Sequence, residues 1–468
     1  MSPTSLSKLR ILMFSLVAAA ALFVAGCSAA MNDATTSSAS TGPTFVVGTD
    51  APVASVTSFT AQVESIDAVD ASGNSVPLIS GSPTVDFARF NGLQTLLDIN
   101  DVPQGTYKSV NITLNAQGAA IGYLNTSGGG APTVQTEAAT FTTTTVSVNL
   151  NKPLVIVHAG APAGLRVDFD LRKSIQVDGT GNITGMVDPT FDVSTVANSD
   201  PGAYIDEFTA GVVSVNASSQ SFVVQGPHGE QFTIDVNGQT EWDNNESINS
   251  LTTSSIVQVS GQLDKADQTL DADEVAIVSQ DGFFASGQVT YVTPSSGTAT
   301  SFDLYVRGLE PTNTGLSLGQ IATVNLTGSE KFFIYQMHNP LTSFLFNSHT
   351  MVAGQAVTVG GPASGAANAN AVAVHRVVLR HWGFNGAIVP GSVNGSQDTF
   401  QMKINGFAGV LIPETVTVYV TDKTQFRQGL STLADVDGSA NVRVVGCLLK
   451  DQTSGQVIIV AHYVDALN

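Results

Sequence analysis

The sequence predicts an all-β fold, with an N-terminal β-sandwich-like domain followed by three small β-barrel-like repeats. Short stretches alternate between apolar and polar residues, as half-buried strands do, and turn-forming residues such as Gly, Asn and Pro separate them. Ser58–Ile66 and Val110–Leu114 are examples from the first half of the chain. Val85–Ile99 is ambiguous, because its large apolar residues recur at a helical spacing although Gly92 interrupts them.

A threefold repeat in the second half predicts the barrels. The run Ile234–Trp242 aligns without gaps on Val324–Phe332 and on Val418–Phe426, and each run ends in an aromatic residue. Each copy also contains a V-x-V-x-G strand, which ends at Gly261, Gly361 and Gly446 respectively. The motifs keep their order while the spacing between them varies, which indicates one fold with variable loops. Several short strands per copy suit a small closed barrel, since closure removes exposed sheet edges.

Residues 1–26 form a predicted lipoprotein signal peptide. Lys8 and Arg10 precede the mostly apolar run Ile11–Val24, which is too short for a comfortable transmembrane span. The run leads into Val24–Cys27, which resembles the lipobox of bacterial lipoproteins. This resemblance implies cleavage before Cys27 and a diacylglycerol anchor, with palmitate among its acyl chains, on the cysteine sulfur. Ser28 follows Cys27, which favours sorting to the outer membrane, on either its periplasmic or its surface face.

The rest of the chain divides into a tether and four predicted domains. Residues 27–44 contain hardly any apolar side chain larger than alanine, which is typical of a flexible tether. The sandwich-like domain is expected at residues 45–200. The barrels are expected at residues 205–282, 283–382 and 383–468. The second barrel carries the largest insertion, Lys331–Met351, which is rich in aromatic residues.

Two groups of motifs resemble known families. Asp50–Pro52, Gly105–Val110 and Val167–Ile175 resemble domain-of-unknown-function family 4382, over about residues 45–195. The G-x-V opening, the V-x-V-x-G strand and the final strand of each repeat resemble domain-of-unknown-function family 5666. Both families occur in exported proteins and carry no established activity, so the resemblance implies a cell-envelope location and no particular chemistry.

Charge and cysteine content exclude several kinds of protein. Charged residues make up 12% of the chain and its net charge is −20, so it repels phosphate backbones and no nucleic-acid partner is expected. The two cysteines are Cys27 and Cys447. Once Cys27 is lipidated no intramolecular disulfide can form, and Cys447 is expected to be a small buried apolar residue.

Asp168 and Asp170 are the candidate metal ligands. They flank Phe169 on a predicted strand, so both carboxylates point to one face and repel each other unless something compensates them. A calcium ion is one possibility, since it binds carboxylate oxygens readily, and Asp50 or Asp188 would complete the site. The alternative is that the carboxylates face solvent or pair with a neighbouring basic residue: Arg166, Arg172 or Lys173.

His375, Arg376, Arg380 and His381 form the one basic cluster of an acidic sequence. Two interpretations are open. The cluster contacts an acidic neighbouring domain or anionic lipopolysaccharide, or it is a solvated strand end. The aromatic residues of Phe332–Phe346 likewise form either a surface for a partner or ligand, or a local mini-core.

No motif for catalysis, zinc binding or phosphate binding is visible. We therefore expect a non-catalytic cell-envelope protein without a cofactor, whose β modules bind or act structurally. Its expected partners are the membrane, through the lipid anchor, and a glycan or another envelope protein. The alternatives are a calcium- or glycan-binding surface protein and a hydrolase whose site is assembled from residues distant in sequence.

Overall fold

The all-β prediction is confirmed by the computed structural model, which is built almost wholly of strands. Residues Thr41–Asn468 form one compact unit. The structure describes residues 41–51, 56–90, 95–125, 131–157, 163–179, 183–196, 204–225, 231–263, 269–310, 315–335, 344–362, 371–405, 411–412, 415–451 and 454–467. The predicted signal peptide and Cys27 lie outside these residues.

The strands fall into an N-terminal group and three barrel groups. The N-terminal strands are β1 (Thr41–Ala51), β2 (Val56–Asp70), β3 (Ser75–Pro77), β4 (Thr84–Asp86), β5 (Thr95–Pro103), β6 (Gly105–Asn125), β7 (Thr133–Ala138), β8 (Thr140–Phe141), β9 (Thr145–Ile156), β10 (Ala163–Asp170), β11 (Ile175–Val177), β12 (Ile183–Val187) and β13 (Phe191–Val196). Helix α1 (Leu171–Ser174) follows β10, and a 3₁₀ turn at Phe87–Phe90 follows β4.

The barrel strands continue the numbering. They are β14 (Tyr204–Asn216), β15 (Ser221–Gln225), β16 (Gln231–Asp235), β17 (Glu241–Trp242), β18 (Ile256–Leu263), β19 (Thr269–Ser279), β20 (Gly282–Thr293), β21 (Ser301–Glu310), β22 (Ile321–Asn325), β23 (Lys331–Ile334), β24 (Ala356–Pro362), β25 (Ala371–Ala373), β26 (Arg376–Ile388), β27 (Thr399–Ile404), β28 (Thr415–Tyr419), β29 (Gln425–Arg427), β30 (Asn441–Lys450) and β31 (Val457–Leu467). Further helical elements are the 3₁₀ turns Asp243–Asn245 and Ile248–Ser250 and helix α2 (Leu433–Val436).

The N-terminal domain is a sandwich whose sheets share one core. One sheet has the order β13-β10-β1-β5, and the other is built around the long antiparallel pair β2 and β6. Phe169 lies at the centre of the core. Its ring stacks on Phe191 at 4.5 Å between centroids and meets Phe87 edge-on at 4.9 Å and Phe59 at 5.1 Å. Burial of these four rings fixes how the two sheets pack.

In this domain one stretch differs from the sequence-based expectation, and another, which the sequence left ambiguous, is resolved. Strand β1 begins at Thr41, within the predicted tether, because its backbone pairs with β5 from Thr41 onward and Thr44 is buried beside β10. The described residues of Val85–Ile99 do not form one continuous helix. This stretch contains the end of β4, one 3₁₀ turn and the start of β5, since Phe87 reaches the core from that single turn.

Each barrel closes through the same order of pairings. In the first barrel β14, β15, β16, β19 and β18 form the ring. The second ring is β20, β21, β22, the consecutive strands β25 and β26, and β24, with β25 pairing with β22 and β26 with β24. The third is β26, β27, β28, β31 and β30. Strand β26 therefore belongs to two barrels, and it runs across the predicted boundary between residues 382 and 383.

The repeated V-x-V-x-G glycines have one physical cause. A Cβ atom at Gly261 would overlap the backbone oxygen of Asp271 on the adjacent strand. Gly361 and Gly446 meet the equivalent oxygens of Ala373 and Val460 in the same way. Only glycine allows this close approach of two backbones, so it recurs at one position in every barrel.

Candidate functional site

The three barrels meet at a buried polar region, which we call the barrel junction. Its charged residues are Asp206, Glu207, Asp243, Glu246 and Glu274 of the first barrel, Arg376 and Arg380 of β26, and Arg427 and Asp465 of the third barrel. Ile256, Tyr335, Val378 and Tyr463 supply part of its apolar packing. Residues on the outer faces of the barrel strands therefore form a second core between the barrels, in addition to the core inside each barrel.

Two arginines on β26 join the second barrel to the first. Arg376 and Arg380 alternate with Val377 and Leu379, whose side chains fill the barrel interior, so both guanidinium groups point outward. Arg380 forms a buried ion pair with Glu207. Arg376 pairs with Glu246 at 2.8 Å and donates to the backbone oxygen of Ile277 at 2.7 Å.

A β-bulge positions the carboxylates on the first barrel. The register of β14 against β18 shifts between Ile205 and Phe208. Such a bulge leaves consecutive residues unpaired and re-aims their side chains. Asp206 and Glu207 lie in this bulge and both are buried. One strand therefore offers two carboxylates to the junction.

The third barrel binds the same bulge. The Tyr463 hydroxyl donates to the Asp206 carboxylate. The Arg427 guanidinium lies 3.8 Å from the centroid of the Tyr463 ring and forms two hydrogen bonds with Asp465, at 2.8 and 3.1 Å. Because Asp206, Tyr463 and Asp465 are buried and Arg427 is partly buried, the orientation of the third barrel depends on several charged hydrogen bonds.

The basic cluster predicted from the sequence is therefore a contact with an acidic neighbouring domain. The interpretation as a solvated strand end is wrong for Arg376, Arg380 and His381, which are buried. Burial, followed by the charges of His462 and Arg380, holds the pKa of His381 well below its usual range, so its imidazole is neutral. His375 is exposed and its Nδ1 lies 2.8 Å from the Asp281 carboxylate.

A buried carboxyl pair completes the junction. Burial raises the pKa of Asp243 to about 9, and the charges of Glu274 and Glu246 and a hydrogen bond with Glu274 act in the same direction. The Asp243 carboxyl is therefore protonated at neutral pH and can donate to Glu274. Within the described part of the chain, no group of three or more His, Cys, Asp or Glu side chains is arranged to hold a metal ion.

Cys447 is buried, as predicted. Its side chain packs in the second barrel core, and its Sγ lies 3.9 Å from the backbone oxygen of Tyr335. Burial, with a smaller effect of Glu274 and Asp243, raises the pKa of the thiol. A thiol with a raised pKa is a poor nucleophile, so the environment of Cys447 favours a structural role for this residue.

The candidate ligands Asp168 and Asp170 share one face of β10 but have different surroundings. Asp170 caps α1: its carboxylate accepts from the Lys173 backbone N at 3.0 Å and lies 2.6 Å from Lys173 Nζ. Asp168 is half-buried and faces Asp192 on β13. Burial raises its pKa, while the charges of Arg166 and Arg443 oppose that effect. Lys173 thus compensates Asp170, as the alternative interpretation expected.

The calcium hypothesis stays a prediction and can be measured. If Asp168 binds calcium, saturating Ca²⁺ at about 100 times its Kd raises the free energy of unfolding by about 2.7 kcal/mol. Asp168→Asn should abolish the resulting shift in Tm, whereas Asp422→Asn, which changes an acid on the third barrel, should retain it. A Tm that is the same with Ca²⁺ and with EDTA would contradict the hypothesis.

The aromatic insertion contributes mostly to the interior over its described residues. Phe332 and Phe346 meet edge-on at 5.5 Å and pack on the second barrel core, while Tyr335 lies in the barrel junction. Leu345 is an exposed exception. Residues 336–343 lie outside the residues that the structure describes. The described aromatic residues therefore pack into the second barrel core and the barrel junction and do not form a separate local mini-core.

A cleft that no sequence motif indicated lies between the N-terminal domain and the first two barrels. Its volume is about 570 Å³. Thr84 belongs to the N-terminal domain, Gly211 and Gln225 to the first barrel, and Glu310 and Leu318 to the second. These residues are far apart in sequence and show no common pattern, so only the packing of the three domains brings them together.

Comparison with known proteins supports the motif-based resemblances. Residues 44–185 match the family described as Domain of unknown function (DUF4382). Residues 210–276 match Domain of unknown function (DUF5666). The matches cover most of the sandwich and of the first barrel. No curated protein matches the chain. Among the described residues, no helix is both long enough and apolar enough to cross a membrane.

Proposed function

We propose that this chain is a lipid-anchored protein of the cell envelope, and that its β domains form one rigid, non-catalytic body for binding or structural support. The buried contacts of the barrel junction are the observation that supports a rigid body. Glu207–Arg380, Glu246–Arg376 and Asp206–Tyr463 each join different barrels. Flexibly linked domains would leave such charged groups in water, because burial of an unpaired charge is costly.

We further propose that the second and third barrels are copies of the domain that matches Domain of unknown function (DUF5666) in the first. The closed order of strand pairings supports this, as does the parallel pairing of the short strands β17, β23 and β29. The aromatic residues Trp242, Phe332 and Phe426 lie at equivalent register positions opposite Val275, Val377 and Val464.

The anchor would act through Cys27. The signal-peptide pattern and the lipobox support lipidation there, and Ser28 supports an outer-membrane location. A rigid body would keep the surfaces of its domains in a fixed arrangement relative to one another, and the segment between Cys27 and β1 would join that body to the membrane. The partner of this body would be a glycan or another envelope protein.

Lipidation is tested by replacing each cysteine in turn. Cys27→Ala is expected to abolish incorporation of labelled palmitate and to release the full chain from the membrane fraction. Cys447→Ala is the matched control, since its buried thiol is not available for acylation, and it should keep both the label and the membrane association. Labelled, membrane-bound protein from the Cys27→Ala gene would contradict the proposal.

A further inference from the structure

We propose that the cleft between the N-terminal domain and the first two barrels binds a small organic cation that carries an apolar body. The cleft has a volume of about 570 Å³, within the range of small-molecule sites, which form preferentially where domains meet. This proposal does not depend on the lipid anchor.

Glu310 provides the charge that would recognise such a ligand. It is the last residue of β21 and lines the cleft. Its side chain is half-buried, and burial raises its pKa. Its carboxylate has no hydrogen bond or ion pair with any residue that the structure describes. An ammonium group bound there would compensate the unfavourable burial of this charge.

The arginine that lines the cleft does not form an ion pair with this carboxylate. Arg307 also lines the cleft, but its Nη1 donates to the Ala88 backbone oxygen at 3.0 Å. Its guanidinium carbon lies 4.7 Å from the centroid of the Trp382 ring. Arg307 is thus held between the N-terminal domain and β26, and Glu310 is left as the group that meets a ligand's charge.

The apolar part of the ligand would contact leucines that also line the cleft. Leu309 and Leu316 are buried in its wall, and Leu318 lines it with 41% of its surface exposed. A cleft that holds both an exposed leucine and a carboxylate suits an amine with a hydrocarbon chain. The net charge of −20 also raises the local concentration of cations and disfavours anions.

The test compares three probes of one chain length on the full chain: hexylamine, hexanol and hexanoate. Isothermal titration calorimetry should show hexylamine binding at least ten times more tightly than hexanol, and hexanoate more weakly still. Glu310→Gln should remove the preference for the amine, while Leu318→Ser should weaken hexylamine and hexanol by similar factors.

A matched control removes a carboxylate elsewhere. Glu137 is exposed on β7, and Glu137→Gln should leave hexylamine affinity unchanged. Circular dichroism and Tm verify that each variant is folded. The proposal is overturned if hexylamine does not bind, if hexanoate binds equally well, or if folded Glu310→Gln protein binds hexylamine as tightly as the wild type.

Discussion

Arg380→Met is expected to lower the free energy of unfolding by about 3–5 kcal/mol, the usual cost of leaving one partner of a buried ion pair alone. The change keeps most of the apolar stem of the side chain but leaves Glu207 as a buried charge at the barrel junction. The Thr358 hydroxyl also loses its contact with Arg380 Nη1, at 3.2 Å. Urea denaturation followed by circular dichroism measures the effect.

A double-mutant cycle separates the ion pair from the loss of packing. The combined variant Glu207→Gln with Arg380→Met removes both charges, and replacement of a buried ion pair by neutral groups is often tolerated. We expect it to be destabilised by much less than the sum of the two single changes. Arg172→Met, at an exposed position of α1, should change stability by no more than about 0.5 kcal/mol. Additive effects in the cycle would contradict a coupled ion pair.

The strands and the barrels could be predicted because their cause is local. Alternation of apolar and polar residues marks one buried face, and the recurring Gly261, Gly361 and Gly446 mark where two backbones come too close for a Cβ atom. The ambiguity at Val85–Ile99 has a local cause too. Regular spacing of large apolar residues cannot distinguish a helix from a 3₁₀ turn between two strands.

The barrel junction could be predicted only in part. Asp206 and Tyr463 are 257 positions apart, so no pattern within a strand pairs them. A weaker signal was present: β26 and β14 each carry two charged residues within a mostly apolar strand. Charged side chains in such a position are usually buried only with a partner. The basic cluster of β26 had already suggested a contact with an acidic neighbouring domain as one of two interpretations. The cleft around Glu310 had no comparable signal, since its residues are ordinary loop and strand-end residues.

Asp243→Asn is expected to abolish a large pH dependence of stability. The ordinary pKa of this carboxyl is 3.8, and burial beside Glu274 and Glu246 raises it to about 9 in the folded chain. Between these values the folded state holds a proton that the unfolded state has lost. The free energy of unfolding therefore falls as pH rises, by up to about 1.4 kcal/mol for each pH unit.

The asparagine variant cannot lose a proton, and its amide can still donate to Glu274 in place of the protonated carboxyl. We therefore expect wild type and variant to be most alike near pH 4 and the variant to become progressively more stable than wild type up to pH 8. Urea denaturation at several pH values measures the two slopes, and Glu137→Gln, an exposed change, should follow the wild type. Parallel slopes for wild type and Asp243→Asn would show that Asp243 is ionised in the folded protein. The carboxylates of the barrel junction would then depend on Arg376 for compensation, because it already pairs with Glu246.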